Sequence, residues 1–189
     1  PDTPVKIMNL ATLRNFAAKR PYLTNVFIYS GLYTGAEFCQ QIYKIKYSVD
    51  NKAQQLDYGS LGKCTILGSA VFPNILFFWY KWLDKTLPGI SSSVILKKVV
   101  LDVFLLTPVN IAVFYTVFNL LDGNFTDPFS EAQQKLWPTF KIGIMFWLPA
   151  QTLNFWLVPP SFRVAYVGCC TFVWANILCN LKKQTAMLA

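Results

Sequence analysis

VVLDVFLLTPVNIAVFYTVFNLL, the stretch from Val99 to Leu121, carries a single charged residue, Asp102. A helix needs about 20 mostly apolar residues to cross the roughly 30 Å hydrocarbon core of a bilayer. This stretch therefore predicts a membrane-crossing helix. Four further apolar stretches cover residues 26–42, 64–80, 142–158 and, less apolar, 164–181. We expect an all-α, multi-pass transmembrane bundle of four or five helices. The number is four or five because 164–181 either crosses the membrane or lies partly in the interface.

The composition of the whole chain agrees with a membrane protein and excludes most enzyme classes. Of the 189 residues, 54% are hydrophobic and 14% are charged, whereas a globular chain is about 25% charged. The chain has no histidine, which excludes Ser-His-Asp, Cys-His and His-metal chemistry. No cluster of carboxylates or thiols stands out instead, so we expect a protein that is not an enzyme and has no cofactor or metal.

The net charge of +8 points to membrane lipid as the partner. Anionic lipid attracts basic residues near its surface by about 1 kcal/mol each, so no direct nucleic-acid partner is expected. The N-terminal segment 1–25 is basic, as in mitochondrial targeting segments or in a basic helix beside a membrane. Residues 26–183 are predicted to form one helical membrane domain, followed by a tail at 184–189. The acidic, turn-rich segment 122–141 is predicted to be the most hydrated loop.

Three apolar stretches contain an interior proline, at Pro73, Pro108 and Pro149. Proline removes a backbone donor and frees a carbonyl one turn earlier, which in a bilayer needs a new partner. Each proline therefore predicts a kink, which either shapes the bundle or borders a hydrated path. Gly31 and Gly35 have the GxxxG spacing that allows two helices to approach closely, within the chain or between copies.

Two acids interrupt the apolar stretches. A charge at the centre of a membrane helix costs about 2.5 to 3.5 kcal/mol, so each acid needs a partner, water or a proton. Glu37 has Gln41 one helical turn further on. Asp102 is predicted to pair with Lys98, four residues earlier, or to face a lumen.

Neutral polar side chains recur on the predicted helices. Gln151 and Asn154 share a helix face with Trp147 and Val158, and Asn110 lies in the third stretch. These amides either bond neighbouring helices, at about 0.6 to 2 kcal/mol each, or line a weakly selective polar pore. The candidates for lining a path are Glu37, Gln41, Asp102, Asn110, Gln151 and Asn154. The cysteines Cys39, Cys64, Cys169, Cys170 and Cys179 lack CxxC spacing and are predicted to be buried thiols.

Several motifs together resemble those of a known family. WLPAQTLNFWLVPPSFR covers residues 147–163, WYKWLD covers 79–84 and LKKVVLD covers 96–102. These motifs resemble the Mpv-17 and 22-kDa peroxisomal membrane protein family, and VPPSFRVAY at 158–166 resembles its Mpv-17-like protein 2 branch. Beyond the candidates above, the positions that carry the resemblance are Trp79, Tyr80, Leu83, Asp84, Lys98, Trp147, Phe155, Val158, Pro159, Arg163 and Trp174. The chain departs from the family pattern at the prolines, since Pro73 and Pro149 are each displaced by one position.

The resemblance implies a small helical protein of the mitochondrial inner membrane or, in other branches, of the peroxisomal membrane. It implies a non-selective channel or a role in metabolite homeostasis, and for the type 2 branch an association with mitochondrial ribosomes. Two functions follow as hypotheses. The first is a channel-like protein for small polar solutes, and the second is an accessory subunit that docks to a respiratory complex or a mitochondrial ribosome.

Overall fold

The computed structural model describes residues 19–47 and 55–187, with side chains as far as residue 176. Five long helices make up nearly all of this part of the chain, and it contains no strand. They are α1 (Pro21–Tyr47), α2 (Tyr58–Thr86), α3 (Ser92–Leu121), α4 (Ser130–Leu157) and α5 (Arg163–Met187), with a 3-10 turn at Pro160–Phe162. The predicted all-α fold class is therefore confirmed. The basic residues Lys6 and Arg14 and the side chain of Cys179 lie outside the described residues.

Consecutive helices run antiparallel, which places the connections at two ends of the bundle. At one end, Asn25 of α1 donates to the carbonyl oxygen of Ser161 at 3.0 Å, just before α5 begins. At the opposite end, Lys63 near the start of α2 forms an ion pair with Asp122, just after α3. We call these the Asp84 end, where α2 and α4 finish, and the Asp57 end, where α2 starts.

The core is a layer of aromatic and aliphatic side chains between the two ends. Its fully buried members include Tyr29, Leu67, Phe72, Leu76 and Val103. In a membrane, where lipid is as apolar as these side chains, such a core stabilises the bundle through van der Waals packing between the helices. These contacts fix α1, α2 and α3 relative to one another.

The close approach of helices occurs at glycines other than the predicted GxxxG pair. A Cβ atom added at Gly68 would lie 2.9 Å from Tyr33 Cβ and 3.3 Å from the Ser30 backbone. The described residues place nothing within 4 Å of such an atom at Gly31, and only Phe172, at 4.0 Å, near Gly35. The α1–α2 contact therefore depends on Gly68, and Gly31 is not a packing position within the described bundle.

A π-helical turn precedes a proline in both α2 and α3. The α-helical pieces Tyr58–Ile66 and Phe72–Thr86 flank the π turn Leu67–Val71. Likewise, Ser92–Leu101 and Thr107–Leu121 flank Asp102–Leu106. The amide of Phe72 bonds to Leu67 and that of Thr107 to Asp102, each five residues back. The extra residue in each turn accommodates Pro73 or Pro108, which is the second residue after the turn and has no N–H to donate.

The predicted loop 122–141 is shorter than expected, because α4 begins at Ser130. The acids and turn formers are concentrated before this residue, including Gly123 with φ +83°. The following residues favour helix, since Glu131 and Lys135 pair one turn apart. Pro138 lies inside this helix, as does Pro149.

The outer surface is strongly apolar. By length and composition, α2 and α3 are able to cross a membrane. Large apolar side chains such as Phe78 and Met145 are 63% and 82% exposed. Contiguous apolar surface of this kind marks contact with lipid or protein. Cys39 and Cys169 lie on this surface as free thiols, so the prediction that they are buried was wrong.

Candidate functional site

A chain of buried polar side chains links α2 to α4 near the Asp84 end. The Gln151 amide donates to the Tyr80 hydroxyl at 3.1 Å, and the Asn154 amide donates to Gln151 at 2.8 Å. The i, i+3 spacing of Gln151 and Asn154 puts them on one face of α4. The oxygen Asn154 Oδ1 is buried and has no hydrogen-bond partner among the described residues. An unpaired buried carbonyl of this kind costs about 1 to 3 kcal/mol.

Three charged groups from three helices meet beside this polar chain. Asp84 at the end of α2 accepts from Lys98 Nζ of α3 at 2.7 Å, and both of its oxygens accept from Arg163 Nη1 of α5. The side chains of Lys98 and Arg163 are 3% and 4% exposed. Both cations also lie within 6.0 Å of the Phe155 ring centroid, a geometry that favours cation–π attraction.

Asp102 does not form the predicted ion pair with Lys98. Its Oδ1 accepts from the indole nitrogen of Trp79 at 3.0 Å, and the residue is 1% exposed. Lys98 extends instead toward the end of α2, where Asp84 and the Phe155 ring lie close together. Asp102 is therefore part of the packed α2–α3 contact.

Glu37 and Gln41 form a second polar cluster at the Asp57 end. Gln41 donates to Glu37 at 2.9 Å and to the Asp57 carbonyl oxygen at 3.1 Å, while it accepts from the Asp57 amide at 2.8 Å. The Ser60 hydroxyl donates to Glu37 at 2.7 Å, and Asp57 caps the start of α2 through the Ser60 amide. The predicted pairing of Glu37 with Gln41 is confirmed, and the cluster ties α1 to α2.

The two polar clusters are separated by the apolar core. Ser60 and Tyr80 are twenty positions apart on one helix, which corresponds to about 30 Å along its axis. Between them lie Leu67, Phe72 and Leu76, all at most 5% exposed. The structure thus brings Gln151 and Asn154 together, places Asp102 on a neighbouring contact, and leaves Glu37 and Gln41 far from all three.

The remaining candidates lie outside the two polar clusters. Asn110 lies in α3, and its Oδ1 is the second buried oxygen without a partner in the described part of the chain. Trp147 and Trp174 contact each other across α4 and α5, with ring centroids 6.4 Å apart. Leu83 is fully buried in the core. Pro73 is buried, whereas Pro149 is exposed.

A cleft of about 370 Å³ opens at the Asp84 end. Its charged lining consists of Asp84, Lys98 and Arg163. Its apolar lining comes from Phe155 and Trp156, from the α2–α3 loop and from the α4–α5 turn that contains Val158 and Pro159. Six of the positions that carry the family resemblance thus line one concave surface: Asp84, Lys98, Phe155, Val158, Pro159 and Arg163. No group of three acids or cysteines that could hold a metal ion occurs among the residues that the structure describes.

Asn25 is a position that the sequence did not reveal. Its Oδ1 accepts from the Ala165 amide at 3.2 Å, while its Nδ2 bonds to Ser161. It therefore caps α5 from a distant part of the chain. An asparagine near the start of an apolar segment gives no signal for such a contact, because its partner is 140 residues away.

The fold and the site define a helical membrane protein in which buried polar side chains lie behind a charged cleft. The sequence profile of the Mpv17 / PMP22 family matches residues 119–179. The Mpv17-like protein of Xenopus laevis is 36% identical over 172 residues, which cover 91% of this chain and 82% of the relative. The chain belongs to the Mpv17 / PMP22 family.

Other relatives agree with this assignment. The Mpv17-like protein of Bos taurus is 33% identical over 91% of this chain and 83% of its own length. Peroxisomal membrane protein 2 of Bos taurus is 26% identical over 86% of this chain and 84% of its own length. No solved structure matches the chain. The assignment to the type 2 branch stays a prediction.

Proposed function

We propose that this protein is a non-enzymatic, multi-pass, channel-like protein that passes small polar solutes across the mitochondrial inner membrane. The observation that carries the proposal is the buried chain of Tyr80, Gln151 and Asn154 next to the charged cleft. Buried amides and an unpaired carbonyl oxygen offer hydrogen bonds to a polar solute that enters the cleft. The cleft is then the mouth of the path.

The proposed path is closed by the apolar core in this conformation. Tyr29, Leu67 and Phe72 fill the space between the Asp84 end and the Asp57 end, and a hydrophobic constriction excludes polar solutes by excluding water. Opening requires the helices to move at this layer. The π turn Leu67–Val71 belongs to this layer and directly precedes Phe72, and π turns are frequent at functional sites.

The proposal includes four or five membrane crossings, with bends at Pro73, Pro108 and Pro149. The lengths of the five helices support this number of crossings. α1, α4 and α5 have 27, 28 and 25 residues, and α2 and α3 have 29 and 30. Each exceeds the roughly 20 residues that a crossing needs. Cysteine accessibility mapping from each side of sealed vesicles counts the crossings.

Conductance in planar bilayers tests the channel. We expect purified protein to conduct small ions or solutes, and Phe72→Ala to increase the open fraction because it removes a buried ring from the constriction. Phe78→Ala is the matched control, since Phe78 belongs to the same helix and is 63% exposed on the outer surface. Correctly folded wild-type and Phe72→Ala proteins that both leave the bilayer sealed would refute the channel.

The location follows from the family. The family resemblance implies the mitochondrial inner membrane, and the name of one relative, peroxisomal membrane protein 2, supports the peroxisomal membrane as the alternative. Fractionation of cells that express the full chain, with markers for both organelles, separates the two locations.

The second candidate function is an accessory subunit of a large mitochondrial complex. Exposed lysines on the bundle support it, among them Lys44 and Lys46 at one end and Lys81, Lys85 and Lys97 at the other. An anionic partner surface would be attracted to either group. Native gels in mild detergent should then show the protein in a high-mass band, whereas a monomer at every detergent strength would refute this candidate.

A further inference from the structure

The charges in the cleft do not balance. Lys98 and Arg163 are almost fully buried, and both pair with the same carboxylate, Asp84. Asp102, the nearest acid along α3, forms no ion pair among the described residues and accepts from Trp79 instead. A buried charge without a counter-charge is costly. The cleft therefore favours a second anion.

The same two cations have hydrogen-bond donors to spare. Lys98 Nζ carries three hydrogens and makes one hydrogen bond within the described structure, to Asp84. Arg163 uses Nε for the Val158 carbonyl oxygen and Nη1 for Asp84, and its Nη2 has no acceptor among the described residues. A planar guanidinium beside an ammonium group is well suited to a phosphate, which accepts several charge-assisted hydrogen bonds at once.

Exposed lysines near the cleft strengthen its preference for an anion. Lys81 and Lys85 of α2 and Lys97 of α3 are exposed near the same end. Together with the two buried cations they outnumber Asp84 and Asp102, the acids of this end among the described residues. A concave surface with apolar walls and a surplus of positive charge concentrates the field and attracts anions.

We propose that this cleft binds the phosphate group of a small solute or of an anionic lipid headgroup, held by Lys98 Nζ and Arg163 Nη2. Asp84 supplies the counter-charge for one of the two cations, and the phosphate supplies it for the other. The cleft has the volume for a phosphate and for part of the molecule that carries it, about 370 Å³. The rings of Phe155 and Trp156 contact the less polar part of that molecule.

Calorimetric titration of inorganic phosphate into protein held in phosphatidylcholine nanodiscs tests the site. Lys98→Met should weaken phosphate binding about tenfold or more, because a charge-assisted hydrogen bond is lost. Lys97→Met is the matched control and should bind as the wild type does, because Lys97 is exposed. Asp84→Asn should strengthen binding, since it raises the positive surplus, whereas a merely structural role for Asp84 predicts weaker binding.

A second measurement distinguishes the two sources of phosphate. The measurement is repeated in nanodiscs that contain phosphatidylglycerol. If the site binds a lipid headgroup, the wild type should no longer bind added phosphate. Native mass spectrometry should then show phosphatidylglycerol retained by the wild type and lost from Lys98→Met. A solute site predicts that phosphate still binds. The proposal is overturned if the wild type binds neither probe, if Lys98→Met and Lys97→Met behave alike, or if Asp84→Asn binds more weakly than the wild type.

The cleft is also the proposed mouth of the channel, but phosphate binding and conduction can be tested separately. Phosphate binding by a protein that leaves planar bilayers sealed would refute the proposed channel and retain the binding site. Conductance that Lys98→Met leaves unchanged, together with no phosphate binding, would refute the binding site and retain the channel.

Discussion

Replacing Gly68 with alanine should destabilise the bundle, while the same change at Gly31 should not. At Gly68 the added Cβ would lie 2.9 Å from Tyr33 Cβ and 3.3 Å from the Ser30 backbone, so α1 and α2 must move apart. Overpacking of this kind costs about 1 to 3 kcal/mol. At Gly31 the described residues leave the Cβ in open space. Both changes replace glycine within a helix, where alanine is favoured by about 1 kcal/mol.

The informative quantity is therefore the difference in the free energy of unfolding between the two variants. We expect Gly68→Ala to be less stable than Gly31→Ala by about 1 to 3 kcal/mol, since the helix preference is common to both. For a chain of this size that corresponds to roughly 2 to 12 °C in the unfolding midpoint. Thermal and denaturant unfolding in detergent micelles measure it. A Gly31→Ala variant that loses as much stability as Gly68→Ala would refute the packing described here and would favour contact of Gly31 with a second chain.

Three further changes probe individual contacts by the same unfolding measurement. Gln151→Leu should cost about 2 kcal/mol or more, because Tyr80 and Asn154 lose their buried partner; the double variant with Asn154→Leu should recover part of that loss, and no recovery would contradict the bonded chain. Asn25→Ala should cost about 1 kcal/mol through the lost cap of α5, and an unchanged midpoint would argue against that cap. Trp79→Phe should cost about 1 to 3 kcal/mol by removing the indole donor to buried Asp102, and the additional change Asp102→Asn should make the loss smaller.

The helical class and the family could be predicted because both depend on local patterns. Apolar runs long enough for a bilayer predict helices whatever their partners are, and the motif WLPAQTLNFWLVPPSFR carries the family resemblance in contiguous residues. The pairing of Glu37 with Gln41 was also predictable, since one helical turn separates them. The Lys98–Asp102 pair satisfied the same rule and was wrong, because Asp84 and Trp79 from a neighbouring helix compete for the two side chains.

The sequence by itself determined that this protein is a bundle of long apolar helices with polar residues buried at a cost. The tertiary structure alone decided which polar residues meet. It assembled Asp84, Lys98 and Arg163 into one cleft, used Gly68 rather than Gly31 for close packing, and capped α5 with Asn25. The physical reason is that helix periodicity fixes neighbours within about one turn, whereas contacts between helices depend on rotation and register, which the packing of the whole core sets.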